Sequence, residues 1–336
     1  MPSPRCSFVL SSRTYRRYNT SPVDAPVRII CENVGSDNQT LDEVLYRSPI
    51  SDRFLSRSYR FHRLAEWVQE IRVVMSLSNN ITIRPGALPF LPILEILSFE
   101  STAGRTLPFF LQIHEHLFEK MPRLKSLTIQ NLNLLESTLS AVESMRHRLN
   151  KLTLSWAAPG RRLLDDIVKF TNLTHLTMEG ICENESFPQL TYKNSASKLK
   201  SLSIKLCNIG ALDRDLFRGM YNLQDLEWRY SSIESIGYGA FDDLFNLEEL
   251  DLAYNRIHTL PDGLFRRNRK LKNVDFVGND GIQNLSRGNF SHVVAYDSFQ
   301  LNLERSSENN GITTTAMMYD FEDGNANNVT ADESDV

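Results

Sequence analysis

Metal-site and nucleotide-site spacings are what this chain lacks. Only four cysteines occur in 336 residues (Cys6, Cys31, Cys182 and Cys207) and no two stand as Cys-x-x-Cys, which excludes the usual zinc frameworks. No Gly-x-Gly-x-x-Gly and no phosphate loop are present, so no nucleotide cradle is written into the chain. His114-Glu115-His116 sets its histidines two apart. A one-faced helical zinc pair needs them four apart, so the stretch reads as solvated and polar. No apolar run reaches 18 residues, so no membrane span is expected. No catalytic residue, metal ligand or cofactor site emerges, and the chain is read as non-enzymatic.

Charge of one sign is also missing at each end. Residues 306–336 hold seven acids (Glu308, Asp320, Glu322, Asp323, Asp332, Glu333, Asp335) and no Lys or Arg, so of the net −4 the rest of the chain carries −4 − (−7) = +3. Almost no periodic apolar residue interrupts this stretch, and it cannot offset its ordering entropy. Residues 304–336 are therefore expected to form a disordered acidic tail. Residues 1–22 contain Arg5, Arg13, Arg16 and Arg17 and no acid, and their apolar stretch Phe8-Val9-Leu10 is too short for a secretory signal core. That composition allows a mitochondrial transit peptide, but a coding sequence begun in the wrong place is the preferred expectation, with residues 1–26 disordered or mis-annotated.

What the chain does have is a repeat. Leu-x-x-Leu-x-Leu, or a close variant, starts at Leu94, Leu124, Leu149, Leu173, Leu199, Leu223, Leu247 and Leu271; subtraction gives steps of 30, 25, 24, 26, 24, 24 and 24 residues. This is the period of a solenoid. The spacing of two inside each copy is strand periodicity, so one face of each short strand is apolar. One such strand cannot bury its face alone, and the array is the unit of stability. The returns carry one aromatic per coil, as in Phe217, Phe241 and Phe265, with Pro261 and Gly263 supporting tight turns. Asn255 and Asn279 hold the ninth position of their copies, where a buried amide can bond the backbone of adjacent coils, and Cys207 holds it in the copy from Leu199.

Leu-Glu-Glu-Leu-Asp-Leu-Ala-Tyr-Asn-Arg-Ile-His-Thr-Leu-Pro-Asp-Gly-Leu-Phe at 247–265 resembles the extracellular, typical class of leucine-rich repeat proteins, arthropod-like secreted or receptor-derived. The resemblance runs from about residue 64 to 295 and is weaker before Leu199, where the ninth positions are Leu132, Ala157 and Ile181. It implies an α/β solenoid: a curved horseshoe with a parallel concave sheet and short helical or irregular convex returns, about eight to nine repeats over residues 64–303. Val27-Arg28-Ile29-Ile30-Cys31-Glu32-Asn33 is similar to the end of such a family's disulfide-bonded cap, so residues 27–63 are expected to be a partial cap and the chain a truncated one.

Cys182 and Cys207 lie 25 residues apart, about one coil. Adjacent strands are about 4.8 Å apart, which suits a disulfide, while two buried thiols are the alternative. Asn-x-Ser/Thr occurs eight times, and Asn38, Asn80, Asn184, Asn284 and Asn289 are the glycosylation candidates. The excess favours an extracellular or secreted glycoprotein; a cytoplasmic chain is the alternative.

The outward positions of the strands can be enumerated because they alternate with the buried ones. In the copies from Leu124 to Leu199 they are mostly small and neutral. In the next three they become Asp225, Glu227, Arg229; Glu249, Asp251, Ala253; and Asn273, Asp275, Val277. Stacking puts Glu227, Asp251 and Asp275 side by side, where like charges repel unless a cation or basic partner lies across them. The expected ligand is a protein with a basic patch, with Arg229, Tyr230 and Tyr254 as rim anchors. Arg161-Arg162 and the cluster Arg266, Arg267, Arg269 and Lys270 make no face-long basic stripe, so no nucleic-acid partner is expected. Two other readings stand beside this one. They are an intracellular repeat adaptor of the ubiquitin-ligase kind, and a non-catalytic accessory subunit of a secreted oxygenase or luciferase-like complex.

Overall fold

In the computed structural model the described residues are 5–10, 27–34, 66, 68–75, 81–83, 88–102, 110–156, 167–182, 198–279, 282, 290, 300–303 and 315–316. The chain divides into two compact units, Met1–Ile181 and Cys182–Val336. Each is a stack of coils on one parallel sheet, with little helix among the described residues.

In the first unit β2 (Val27–Val34), β3 (Val68–Met75), β5 (Ile96–Ser101), β7 (Ser126–Gln130), β9 (Lys151–Ser155) and β10 (His175–Glu179) pair in that order, all parallel. Leu127 stands opposite both Leu97 and Leu152, and Leu176 opposite Leu152. The weaker copies before Leu199 thus stack in register, because a one-residue slip would turn every apolar side chain to water. Val68, Ile71 and Val73 are fully buried and extend the pattern one coil upstream. A second parallel ribbon, β4 (Ile81–Ile83), β6 (Phe110–Ile113) and β8 (Asn133–Leu134), lines the returns. Helix α1 (Glu136–Ser144) buries Thr138, Leu139, Ala141 and Val142 beside it.

Sequence patterning assigns no element before residue 27. Yet β1 (Arg5–Leu10) pairs antiparallel with β2, with Cys6 opposite Cys31, and the two cysteines are disulfide-bonded. A three-residue apolar run carries too little periodicity to announce a strand; pairing with a neighbour supplies what the run lacks.

In the second unit β11 (Ser201–Lys205), β13 (Asp225–Arg229), β15 (Glu249–Asp251), β16 (Asn273–Asp275) and β17 (Gln300–Asn302) are parallel neighbours, and β18 (Thr315–Ala316) pairs antiparallel with β17. β18 falls inside the stretch expected to be disordered. A short ribbon, β12 (Ala211–Leu212) with β14 (Ser235–Ile236), accompanies the returns. The aromatic residue of each return forms a buried file: Phe217 to Phe241 at 5.7 Å, Phe241 to Phe265 at 5.9 Å and Phe265 to Phe290 at 5.3 Å between ring centroids. Trp228 meets Phe217 edge-on at 6.1 Å and is fully buried. Each coil thus stacks its aromatic on the next, which fixes coil spacing as well as burying area.

Candidate functional site

Strand alternation positions the outward residues of the second unit. Leu226, Trp228, Leu250 and Val274 point into the core; the residues between them point out. The register aligns Asp225 with Glu249 and Asn273, and Glu227 with Asp251 and Asp275. Asp225 and Glu249 are exposed, and Glu227, Asp251 and Asp275 are half-buried.

The three aligned acids have cations of their own. The Arg229 Nε donates to Asp251 Oδ2 at 2.6 Å and lies 3.4 Å from Glu227 Oε1, and its Nη2 is 3.9 Å from Asp275 Oδ2. Lys205 Nζ sits 2.8 Å from Glu227 Oε1, and Ser203 Oγ donates to Glu227 Oε2 at 2.6 Å. The remaining carboxylate oxygens accept local backbone N–H groups, Asp251 Oδ1 from Ala253 at 3.1 Å and Asp275 Oδ1 from Val277 at 2.9 Å. The sequence puts Arg229 at the rim of this column; the structure puts its guanidinium across it. Glu227 and Arg229 share a face because they are two apart, and the long side chain reaches into the following coils. Five acids (Asp225, Glu227, Glu249, Asp251, Asp275) against two cations (Lys205, Arg229) leave the face at −5 + 2 = −3.

Hydrogen bonding from Arg229 to Asp251 raises the arginine's pKa against the cost of burial, so it stays charged. Burial pushes the Glu227 carboxyl up, but hydrogen bonds from Lys205 and Ser203, with the charges of Lys205 and Arg229, outweigh it and hold the group below its ordinary value. A folded pKa below the unfolded one gives stability that is present above the unfolded pKa and lost as pH falls through the folded one. The urea midpoint is therefore expected to hold from neutral pH to the ordinary glutamate range and to fall below it. In Glu227→Gln that acid limb is expected to be shallower, and an unchanged limb would refute the assignment.

At the outgoing end of the strands the backbone turns left-handed once per coil. Leu206, Tyr230 and Tyr254 have φ of 56°, 53° and 57°, and Gly278 follows at 71°. In this way Leu206 N–H reaches Arg229 O at 3.1 Å and Tyr254 N–H reaches Val277 O at 2.6 Å, in the next coil. A side chain in this conformation costs roughly 1–2 kcal/mol, which glycine avoids. Here three large side chains bear it, and all three are exposed (38%, 46% and 43%). Tyr230 and Tyr254 stack with centroids 4.7 Å apart and planes 6° from parallel. Gly278 ends the file, because a Cβ there would lie 2.7 Å from Tyr254 Cδ1.

Beneath the turn runs the polar ladder. Asn255 Oδ1 accepts from Ser231 N and Ile233 N, and its Nδ2 donates to Trp228 O and Leu252 O. Asn279 repeats this one coil on, accepting from Ile257 N and donating to Leu252 O and Phe276 O. Ser231, which sequence patterning does not single out, continues the file: its Oγ accepts from Cys207 N and donates to Arg229 O. Its position, 24 residues before Asn255, was the available signal. Cys207 carries no amide; it is bonded to Cys182. Asn38, Asn80, Asn184, Asn284 and Asn289 lie outside the described residues. Among the described residues no three His, Cys, Asp or Glu gather as a metal site, and no helix is long and apolar enough to cross a membrane.

A family profile described as leucine rich repeat matches residues 197–257. The chain resembles solved structures, two of which are complexes. The Toll–Spatzle complex, described as a hub in Drosophila development and innate immunity, matches at 16% identity and a TM-score of 0.52, covering 83% of this chain and 43% of that one. The complex of TLR13 with ssRNA13 matches at 21% identity and a TM-score of 0.44, covering 76% and 42%. The chain thus spans less than half the length of either. No curated protein matches it. Repeat, register and resemblance agree that the fold is a leucine-rich repeat solenoid.

Proposed function

We propose that this leucine-rich repeat chain is a non-enzymatic, extracellular protein-binding module whose ligand presents a basic patch to the open sheet face of the second unit. The observation that carries the reading is the exposed Tyr230–Tyr254 stack bordering a face of charge −3. Rigid aromatics beside charge are what interface hot spots are made of. Because Arg229 already serves Glu227, Asp251 and Asp275, it organises the face rather than anchoring the ligand, and the attraction for a basic ligand comes from the net charge of the face. Two further observations support the compartment. Both cysteine pairs are disulfide-bonded, as suits an oxidising environment, and sequons are frequent. Toll, a chain of this fold, is found in complex with Spatzle, in keeping with a protein ligand here.

Purified chain screened against an array of extracellular proteins is expected to retain basic ones. For a retained ligand, Tyr254→Ala should weaken binding by about 2 kcal/mol, roughly thirtyfold, and Asp225→Lys with Glu249→Lys should slow association and flatten its salt dependence. If the charge-reversed chain binds each retained ligand as tightly as the parent does, the reading is wrong.

A further inference from the structure

The first unit has an open sheet face of a different kind. Between residues 120 and 156 the chain carries six basic residues (Lys120, Arg123, Lys125, Arg146, Arg148, Lys151) and two acids (Glu136, Glu143). Both acids sit on α1, among the returns. The basic residues fall at or just before the incoming ends of β7 and β9, so stacking collects what the sequence spreads over two coils. His175 joins them in the next coil, with Lys151 directly opposite both Ser126 and His175. Arg123, Lys125, Lys151 and His175 are exposed. Lys125 is met by Glu95 at 3.2 Å. The Arg148 guanidinium donates to the carbonyls of Phe118 at 3.3 Å and Met121 at 3.5 Å, bonds that fix it without cancelling its charge.

Beside this edge the floor is hydroxylic. Thr128, Thr153 and Thr177 stand in register on β7, β9 and β10, with Ser126 flanking them. All four are half-buried, so their hydroxyls line a shallow surface. The outward positions of these three strands hold no Phe, Tyr or Trp. Single-stranded nucleic acids depend on a run of aromatic platforms for their bases, and this floor offers only the His175 ring at its edge. What it supplies is cations along one edge and hydroxyl donors and acceptors about 4.8 Å apart across it. That suits a chain bearing both anionic and hydroxyl groups.

We infer that the open face of the first unit at β7, β9 and β10 binds a sulfated polysaccharide chain. Sulfates pair with Arg123 and Lys151, and sugar hydroxyls bond to Thr128, Thr153 and Thr177. The site is separate from the protein-binding face of the second unit, and its test does not depend on that reading.

The full chain is titrated with a heparin oligosaccharide by calorimetry over a series of salt concentrations. Affinity is expected to fall as salt rises, since bound cations displace counterions. Arg123→Glu with Lys151→Glu should lower it by about tenfold or more, the sum of two or more surface ion pairs lost and reversed. Thr128→Val with Thr153→Val keeps shape and charge and should lower it about three- to tenfold through lost hydrogen bonds. Arg267→Glu with Arg269→Glu, exposed on the second unit, should leave it unchanged. The inference is overturned if heparin fails to bind, or if the second-unit reversal weakens binding as much as the first-unit one. It is likewise overturned if the valine pair binds as the parent does, or if single-stranded DNA or an acidic peptide of equal charge competes as well as heparin. Circular dichroism of each variant separates lost binding from lost fold.

Discussion

Asn255→Leu is expected to destabilise the second unit by on the order of 4 kcal/mol, a large fraction of the net stability of a typical domain. The side chain is 7% exposed. Its Oδ1 receives Ser231 N at 2.9 Å and Ile233 N at 3.3 Å, and its Nδ2 donates to Trp228 O at 2.7 Å and Leu252 O at 2.9 Å. Leucine keeps the volume and removes these bonds, together with a longer one from Nδ2 to Ala253 O at 3.4 Å, leaving two buried donors without an acceptor. Each orphaned buried group costs about 1–3 kcal/mol, and relaxation of the turn recovers part of that. Asn255→Ser separates this explanation from simple loss of packing. A hydroxyl at this position already works in the preceding coil, where Ser231 accepts from Cys207 N at 3.1 Å. The serine variant should therefore lose clearly less than the leucine variant. Urea unfolding followed by Trp228 fluorescence reads both, since that indole is buried in the adjoining coil. Equal losses would show that the amide acts as a spacer, not as a bonding partner.

The second large effect is expected where the return after β14, which carries Asp242, meets the return after β15, which carries Arg266. Asp242 is 1% exposed, and the Arg266 guanidinium grips it through Nε to Oδ1 at 3.1 Å and through Nη2 to Oδ2. Arg266 is itself held against the ring of Tyr238, its Cζ 4.3 Å from the centroid. Arg266→Ala abandons a buried carboxylate, a change that costs about 3–5 kcal/mol in such pairs. The guanidinium is 26% exposed, so water can enter, and a loss near about 3 kcal/mol is expected. Replacing both partners, as Asp242→Leu with Arg266→Met, removes the stranded charge and should recover most of that loss. A double variant as unstable as Arg266→Ala alone would mean that the pair matters for packing, not for charge compensation. Arg266 belongs to a cluster that looks like a free basic patch, yet its charge is committed inside the return.

Several features were legible in the sequence because they depend on short-range geometry. The period of two within β7, β9, β10, β11 and β13 names the buried residues, and the period of about 24 names the strands that become neighbours. Together they place Glu227, Asp251 and Asp275 in one row without any knowledge of the fold. The one-coil interval between Cys182 and Cys207 likewise follows from counting. The upstream coil at Val68, Ile71 and Val73 lies inside the expected array and obeys the same pattern with β-branched residues in place of leucine, whereas Ser231 does not look like an asparagine until both are seen to bond the same backbone.

By itself, then, the sequence determined the coil, the core columns and the order of the strands, since alternation and repeat length leave little choice about which side of a strand faces its neighbours. Tertiary structure decided everything that depends on reach and on the sign of φ. Repeat length does not say that Arg229 extends across two coils and supplies the cation that the acid row needed. Nor does it say that Leu206, Tyr230 and Tyr254 turn left-handed and that the two tyrosines stack. Cys6 meets Cys31 only because β1 folds back on β2, and the basic residues of the first unit form an edge only once β7, β9 and β10 are laid side by side. Periodicity fixes backbone neighbours. Side-chain rotamers and turn conformations, chosen by packing between coils, fix the chemistry of the surface.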